Sequence, residues 1–498
     1  MVLRRILLPF LAVLFLVAAC GDEHGTAVPP PPQRGAAVAI PLIEGPVAGT
    51  PFVAGTLFDP AEVGYVQEEY FLSGTATSYG TDEVVGTDGR WTVVPAASAD
   101  YRTRILVQRP QRRSDFNGTV IVEWLNVSGG LDAAADWLMA HTELIRRGYA
   151  WVGVSAQYIG IEGGTPVLPG LPLRPLKTVD PVRYASLFHP GDSFSYDIFS
   201  QAAQAVRRPN GVDPLASLTA DRLIAVGESQ SAFRMTTYVN AIHPVADIFD
   251  GFLIHSRGSI LTAGISEAPQ VVIPVPGTTR IRDDLNAPVL TFETETDLSF
   301  LGFTPARQPD SERFRLWEVA GTAHADAYTT VVGFQDRGDS PEAARLVVTA
   351  TPIEGAPACG APINSGPQHF VLKAAIAALH RWVREGVPPP IAPRLETAGG
   401  GRIVRDEHGN ARGGIRTPQV DVPIATLSGE GQAGSIFCLL FGSTVPFDEA
   451  KLLELYPEHA DYVSAFNRST DEAVAAGFLL PEDARLMKEW AEGAPIPR

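Results

Sequence analysis

Along the chain, short β-branched and aromatic runs alternate with segments whose apolar residues recur at helical spacing. Glu69–Tyr79 and Arg104–Gln108 alternate apolar with polar positions and are rich in Thr and Tyr, which predicts two early strands. Thr119–Trp124 is a continuous apolar run of the kind found in strands covered on both faces. Leu131, Ala134, Ala135, Leu138, Met139, Thr142 and Ile145 then share one helical face, and Gly148 stops it. Tyr149–Ser155 predicts the next strand, and Ile198, Ala202, Ala205 and Val206 mark a second helix. Arg222–Val226 is a strand, followed by a helical stretch from Gln230 to about Asn240. Ile248–Ile254, Val289–Thr294 and Phe314–Val319 supply three more strands, and a helix over Leu372–Val383 ends before Gly386 and Pro388. Parallel neighbours need long crossovers, so this alternation predicts an α/β fold: a mostly parallel central sheet with helices on both faces.

Three stretches break the alternation. Residues 157–190 are rich in Pro, Gly and Leu, residues 257–286 are mixed, and 336–367 form a third insertion. The first two leave the ends of strands, where insertions in open α/β sheets form caps over a site. The main domain spans 37–386. Residues 387–498, with Gly399-Gly400-Gly401 and a helical region from about Asp448, read as an appendage packed on it.

Composition supports a large, acidic, globular protein, with one compact core or two both possible at 498 residues. Hydrophobic residues make up 45% and charged residues 19%, which excludes disorder over most of the chain. The net charge of −17 argues against a nucleic-acid surface, which requires clustered Lys and Arg. Three cysteines suffice neither for a disulfide scaffold nor for a four-thiolate metal site. Nothing matches H-E-x-x-H, a P-loop or a dinucleotide fingerprint, and Asp406–Asn410 lacks the later Glu of an EF-hand loop. No metal or cofactor is expected.

The N-terminus reads as an address. Arg4 and Arg5 precede an apolar run from Ile6 to Ala19, too short for an ordinary spanning helix, which makes residues 1–19 an export signal. The run closes on Val17-Ala18-Ala19-Cys20-Gly21, which resembles the bacterial lipobox. That resemblance implies cleavage before Cys20, its diacylation, and a tether over 20–36 stiffened by Pro29 to Pro32. The expectation is an exported lipoprotein on the periplasmic face or cell surface of a bacterium, anchored to a membrane that it does not span. Export places Cys359 and Cys438 where disulfides persist; a bridge and two buried free thiols both fit the sequence.

The chemistry concentrates just beyond three strands. Leu223–Val226 runs into Gly227-Glu228-Ser229-Gln230-Ser231, the G-x-S-x-G nucleophile elbow with Ser231 in place of the last glycine. A Ser on a sharp strand-to-helix turn presents its hydroxyl at the N-terminus of the helix, where backbone amides stabilise an oxyanion. The hydroxyl needs a base, and the base an orienting acid, in the chain order Ser, acid, His. Asp297 lies just past the strand Val289–Thr294, with Glu295 and Glu293 as competitors. His324 follows Phe314–Val319 and is the one histidine of ten at the required position. The second oxyanion donor should come from Leu125-Asn126-Val127-Ser128-Gly129-Gly130, so the amides of Gln230 and of Val127 or a neighbour are the candidates. Arg257, past another strand end, reads as a salt bridge supporting its loop rather than as a ligand for a substrate carboxylate.

Taken together, these segments resemble the α/β-hydrolase superfamily. More narrowly, the chain is similar to a group of long bacterial α/β-hydrolase-domain proteins. That likeness rests on Glu123–Gly130, Tyr196–Gln201, the Gly227 elbow, His255–Gly258, Gly413–Arg416 and Cys438–Thr444. The superfamily likeness implies ester or other acyl hydrolysis without a cofactor, and the expectation drawn from the three residues is a carboxylic-ester serine hydrolase working through an acyl-enzyme. A lactonase or transacylase with the same three residues, and a non-catalytic binding lipoprotein on this fold, are the alternatives. Val167–Leu173 suggests a small ester with an apolar acyl or alcohol part as the substrate.

Overall fold

A computed structural model describes residues 34–168, 173–259, 262–353 and 358–496. The export signal, Cys20 and most of the tether lie outside the described residues, as does the centre of the apolar stretch 167–173. Among the described residues, nine strands form one sheet: β1 (Leu42–Glu44), β2 (Tyr65–Gly80), β3 (Val94–Pro110), β4 (Thr119–Trp124), β5 (Ala150–Val154), β6 (Arg222–Glu228), β7 (Gly251–His255), β8 (Val289–Thr294) and β9 (Phe314–Val319). Their spatial order is β1-β2-β3-β5-β4-β6-β7-β8-β9. The pairs β1–β2, β2–β3 and β3–β5 are antiparallel, and from β5 to β9 every neighbouring pair is parallel.

The period-two geometry of a strand divides its side chains between two apolar layers. Val120, Val122 and Trp124 of β4, with Leu223 and Ala225 of β6, pack on the helices Ser195–Arg207 and Gln230–Thr237. Ile121, Ile224 and Val226 pack on the opposite side, against the helices Ala135–Arg146 and Gln368–Glu385. Both faces are therefore covered, which is why these strands read as unbroken apolar runs.

Three expectations shift in detail. The first helix begins at Ala135 rather than Leu131, because Asn126 and Ala133 exchange backbone hydrogen bonds of 2.9 Å and hold 126–133 as a closed loop. β7 begins at Gly251 rather than Ile248, after Asp247 adopts φ +40°. The helix from Gln230 is regular only to Thr237 and then widens into a π-turn over Tyr238–Ile242.

From Arg34 on, the chain forms one compact unit. Beyond residue 386 it returns along the sheet edge, where Ile415 pairs with Val319 of β9. Ala425–Ser428 and Ser443–Pro446 form a small antiparallel pair, and the helices His459–Ala475 and Pro481–Gly493 build a separate apolar cluster. Asp483 of the last helix meets Arg146 and Lys373 at 2.8 and 3.0 Å. Cys359 and Cys438 are joined as a disulfide, with Cα atoms 5.5 Å apart. Among the described residues no helix is long and apolar enough to cross a membrane.

Candidate active site

β6 ends at Glu228, and Ser229 turns the chain into the following helix at φ +59°, ψ −120°. A non-glycine residue at positive φ is strained and persists only where its surroundings fix it. Here the Ser229 amide donates to His255 O of β7 at 2.9 Å. The turn is tight: a Cβ on Gly227 would lie 3.1 Å from the backbone of Ser231. Ser231 is fully buried, so a small residue suffices where the motif usually has glycine.

The structure brings the three predicted side chains together. His324 Nε2 lies 2.7 Å from Ser229 Oγ, and its Nδ1 lies 2.7 Å from Asp297 Oδ1. An ionised carboxylate only accepts, so Nδ1 carries the proton and Nε2 is left to accept from the hydroxyl. Asp297 Oδ2 accepts from the amide and hydroxyl of Thr294, each at 2.7 Å, a capping box that starts the short helix Glu295–Ser299. Both oxygens of the acid are thus committed. Burial opposes charge on His324, but the carboxylates of Asp297 and, to a lesser degree, Glu228 outweigh burial and hold the imidazole pKa above its ordinary value. Ser229 itself is half-buried and reachable.

The competing acids have other partners. Glu295 accepts the amides of Gly321 and Gly429 at 2.6 and 3.0 Å and pairs with Arg405 at 3.1 Å. Glu293 is fully buried; neither oxygen has a hydrogen-bond partner among the described residues, and burial pushes its carboxyl well above the usual range.

The expected oxyanion donors face no acceptor among the described residues: neither Val127 N nor Gln230 N is hydrogen-bonded. Ser128 N, the neighbouring candidate, is occupied by Asn126 Oδ1 at 2.8 Å. Asn126 Nδ2 in turn donates to the carbonyl and to Oε2 of Glu228, both at 3.0 Å. Asn126 and Glu228 are the site residues that sequence reasoning missed. The x of G-x-S-x-G carries no expected role, and an Asn in a turn is ordinary.

Both cap insertions reach this region. Leu168 N and Arg174 N donate to Ser128 O and Gly130 O at 2.9 and 3.0 Å, so the first insertion rests on the 126–130 loop. Glu267 of the second insertion pairs at 2.7 Å with Arg234, on the helix that follows Ser229. Arg257 departs from expectation. Among the described residues it makes no ion pair; it donates to Thr279 O at 3.0 Å and lies over the Phe303 ring, and burial pushes its pKa down to about 10. The loop is held by a desolvated guanidinium on a carbonyl and a ring face instead of by a carboxylate.

A mostly parallel sheet covered on both faces, an elbow Ser, and an acid and a His past later strands define the α/β-hydrolase class. A model of the alpha/beta hydrolase domain family matches residues 31–489, and the chain belongs to that family. No curated protein matches it. Similar solved structures include a fungal esterase from Rhizomucor miehei at 11% identity, covering 63% of this chain and 85% of that one with TM-score 0.30. A lidless α/β serine hydrolase from Xanthomonas campestris is 13% identical over 49% and 83% of the two chains, TM-score 0.26. An α/β serine hydrolase homologue from Coxiella burnetii is 11% identical over 44% and 82%, TM-score 0.26.

Proposed function

We propose that the protein is a serine hydrolase that cleaves carboxylic esters through an acyl-enzyme. The observation that carries this reading is the continuous relay Ser229–His324–Asp297, with two contacts of 2.7 Å, on a strained, reachable Ser. Ser229 Oγ attacks the acyl carbonyl while His324 Nε2 takes its proton, and Asp297 holds the tautomer that makes this transfer feasible. His324 then returns the proton to the leaving alkoxide, and water repeats the sequence to release the acid. The free amides of Gln230 and Val127 are the donors for the tetrahedral oxyanion. A small ester with an apolar part is suggested by the apolar composition of the cap stretch Val167–Leu173. Export and lipid attachment at Cys20 remain part of the proposal and rest on the leader sequence.

A fluorophosphonate probe tests the chemistry without knowledge of the substrate. Wild type labels and Ser229→Ala does not; a folded wild type that never labels points to a binding protein on this fold. A p-nitrophenyl ester series of increasing acyl length then reads the apolar preference, and a flat series removes the apolar-pocket component.

A further inference from the structure

Two carboxylates, not one, face the His324 imidazole. Asp297 meets Nδ1, and on the other side Glu228 Oε1 lies 3.3 Å from Nε2, the same nitrogen that meets Ser229. The second Glu228 oxygen is fixed by Asn126 Nδ2 at 3.0 Å, which also holds the Glu228 carbonyl, so this carboxylate is aimed and not a freely rotating side chain. Asn126 Oδ1 meanwhile accepts Ser128 N, joining the 126–130 loop to the elbow through one side chain. Nothing in the relay described above uses Glu228.

Resting on the serine-hydrolase reading, we infer that Glu228 is a positioning residue whose ionised carboxylate stabilises the imidazolium of His324 during acylation. While His324 is neutral, Nε2 presents a lone pair, and an ionised Glu228 gains nothing from it. During attack the Ser229 O–H bond breaks, the proton forms a new bond to Nε2, and Oγ bonds the acyl carbon. Nε2 now carries an N–H and a share of positive charge beside Glu228 Oε1. The attraction exists only once the proton has moved, which is the condition for lowering a barrier and not merely tightening binding.

Four titratable groups face Glu228: His324 past β9, His255 of β7, Asp136 of the helix Ala135–Arg146, and Asp297 past β8. Burial pushes the Glu228 carboxyl up to about 7, against the pull of the two imidazoles. The Asp297 and Glu228 carboxylates outweigh burial and hold the His324 imidazole above its ordinary value, so the productive form, with His324 neutral and Glu228 ionised, is reached as pH rises.

The test is the rate of fluorophosphonate labelling against pH for wild type, Glu228→Gln, Glu228→Asp and Ser229→Ala, with thermal melting to confirm folding. The wild-type acid limb reports deprotonation of His324 beside the Glu228 carboxylate. In Glu228→Gln it should keep a slope of one and move to lower pH, since His324 has lost a carboxylate that raised its pKa. Its alkaline plateau should fall roughly tenfold, the equivalent of about one pKa unit of lost imidazolium stabilisation. Glu228→Asp should restore part of the shift. Identical slope and midpoint in wild type and folded Glu228→Gln would reduce Glu228 to a strut for Asn126. If Glu228→Gln does not fold, Glu228→Asp decides in its place: an acid limb moved to lower pH with a lowered plateau supports the inference, and an unchanged midpoint and plateau overturn it. Labelling that survives Ser229→Ala would instead overturn the serine reading and the inference with it.

Discussion

Glu295 Oε2 accepts the amide of Gly429 at 3.0 Å, across 134 residues of chain. Its other oxygen takes the Gly321 amide at 2.6 Å, three residues before His324. One carboxylate thus ties the acid turn, the His loop and the C-terminal segment together. A Cβ on Gly429 would lie 2.5 Å from Glu295 Cβ and from Thr296 N, so only glycine fits there.

Two carboxylates two residues apart should consequently fail in different ways. Asp297→Asn leaves the fold intact and imposes the wrong imidazole tautomer, lowering kcat by about 10³–10⁴-fold. Glu295→Gln disturbs two charge-assisted hydrogen bonds and the Arg405 pair, and should destabilise by roughly 2–3 kcal/mol with a much smaller loss of kcat. Steady-state kinetics beside thermal unfolding separates the two; a kcat loss in Glu295→Gln as large as in Asp297→Asn would reverse the assignment.

Removing the Asn126 side chain attacks the other half of the site. Asn126→Ala frees Ser128 N and releases Glu228, and turnover should fall by about 10–100-fold with only modest change in KM, as for a loss felt mainly in the transition state. Unchanged kcat would show that the 126–130 loop holds its shape without this clamp.

The disulfide closes a separation of 79 residues, and a Cys359→Ser/Cys438→Ser variant should lose about 4 kcal/mol in the chain-entropy model. Activity should fall too, because the segment just after His324 is hydrogen-bonded beside both half-cystines: Ala325 N to Leu440 O at 3.1 Å and Ala327 N to Asn364 O at 2.8 Å. Melting and ester hydrolysis with and without reductant provide the measurement; a reduced protein as stable and active as the oxidised one would contradict this.

Asp483 provides a pH-dependent test of how the last helix is held. Burial opposes its charge, but Lys373 and Arg146 outweigh burial and hold its carboxyl below the ordinary 3.8. A depressed carboxyl contributes stability above its unfolded pKa and loses it as pH falls towards the folded one. Asp483→Asn should therefore cost roughly 3–5 kcal/mol at pH 7, leaving Lys373 buried without its anion and Arg146 with Glu143 alone. The gap in melting temperature from wild type should close as pH drops below about 3.8. A gap that persists undiminished in acid would assign the loss to packing.

Much of this was legible from residue order. β8 and β9 begin and end where the apolar runs do, since buried parallel strands carry their signature in every residue. Ser229, Asp297 and His324 were readable because each follows such a strand. The short pair Ala425–Ser428 and Ser443–Pro446 escaped because four residues carry too little period to register. The Glu228–His324 contact and the Glu295–Gly429 bond escaped for a different reason: they join segments about 100 residues or more apart, and no local pattern encodes such meetings. Arg257 was misread because a cation past a strand invites a carboxylate partner, whereas its loop offered a carbonyl and a ring face.

The loop that seats His324 leans on Gly429, Leu440 and Phe441 through Glu295, Ala325 and Asn364. A chain emerging from the ribosome holds all three relay side chains more than a hundred residues before it holds the segment that steadies them. Newly made protein should stay inert until its final stretch has docked, and a protease nick between residues 430 and 440 should silence hydrolysis from a distance while sparing the sheet.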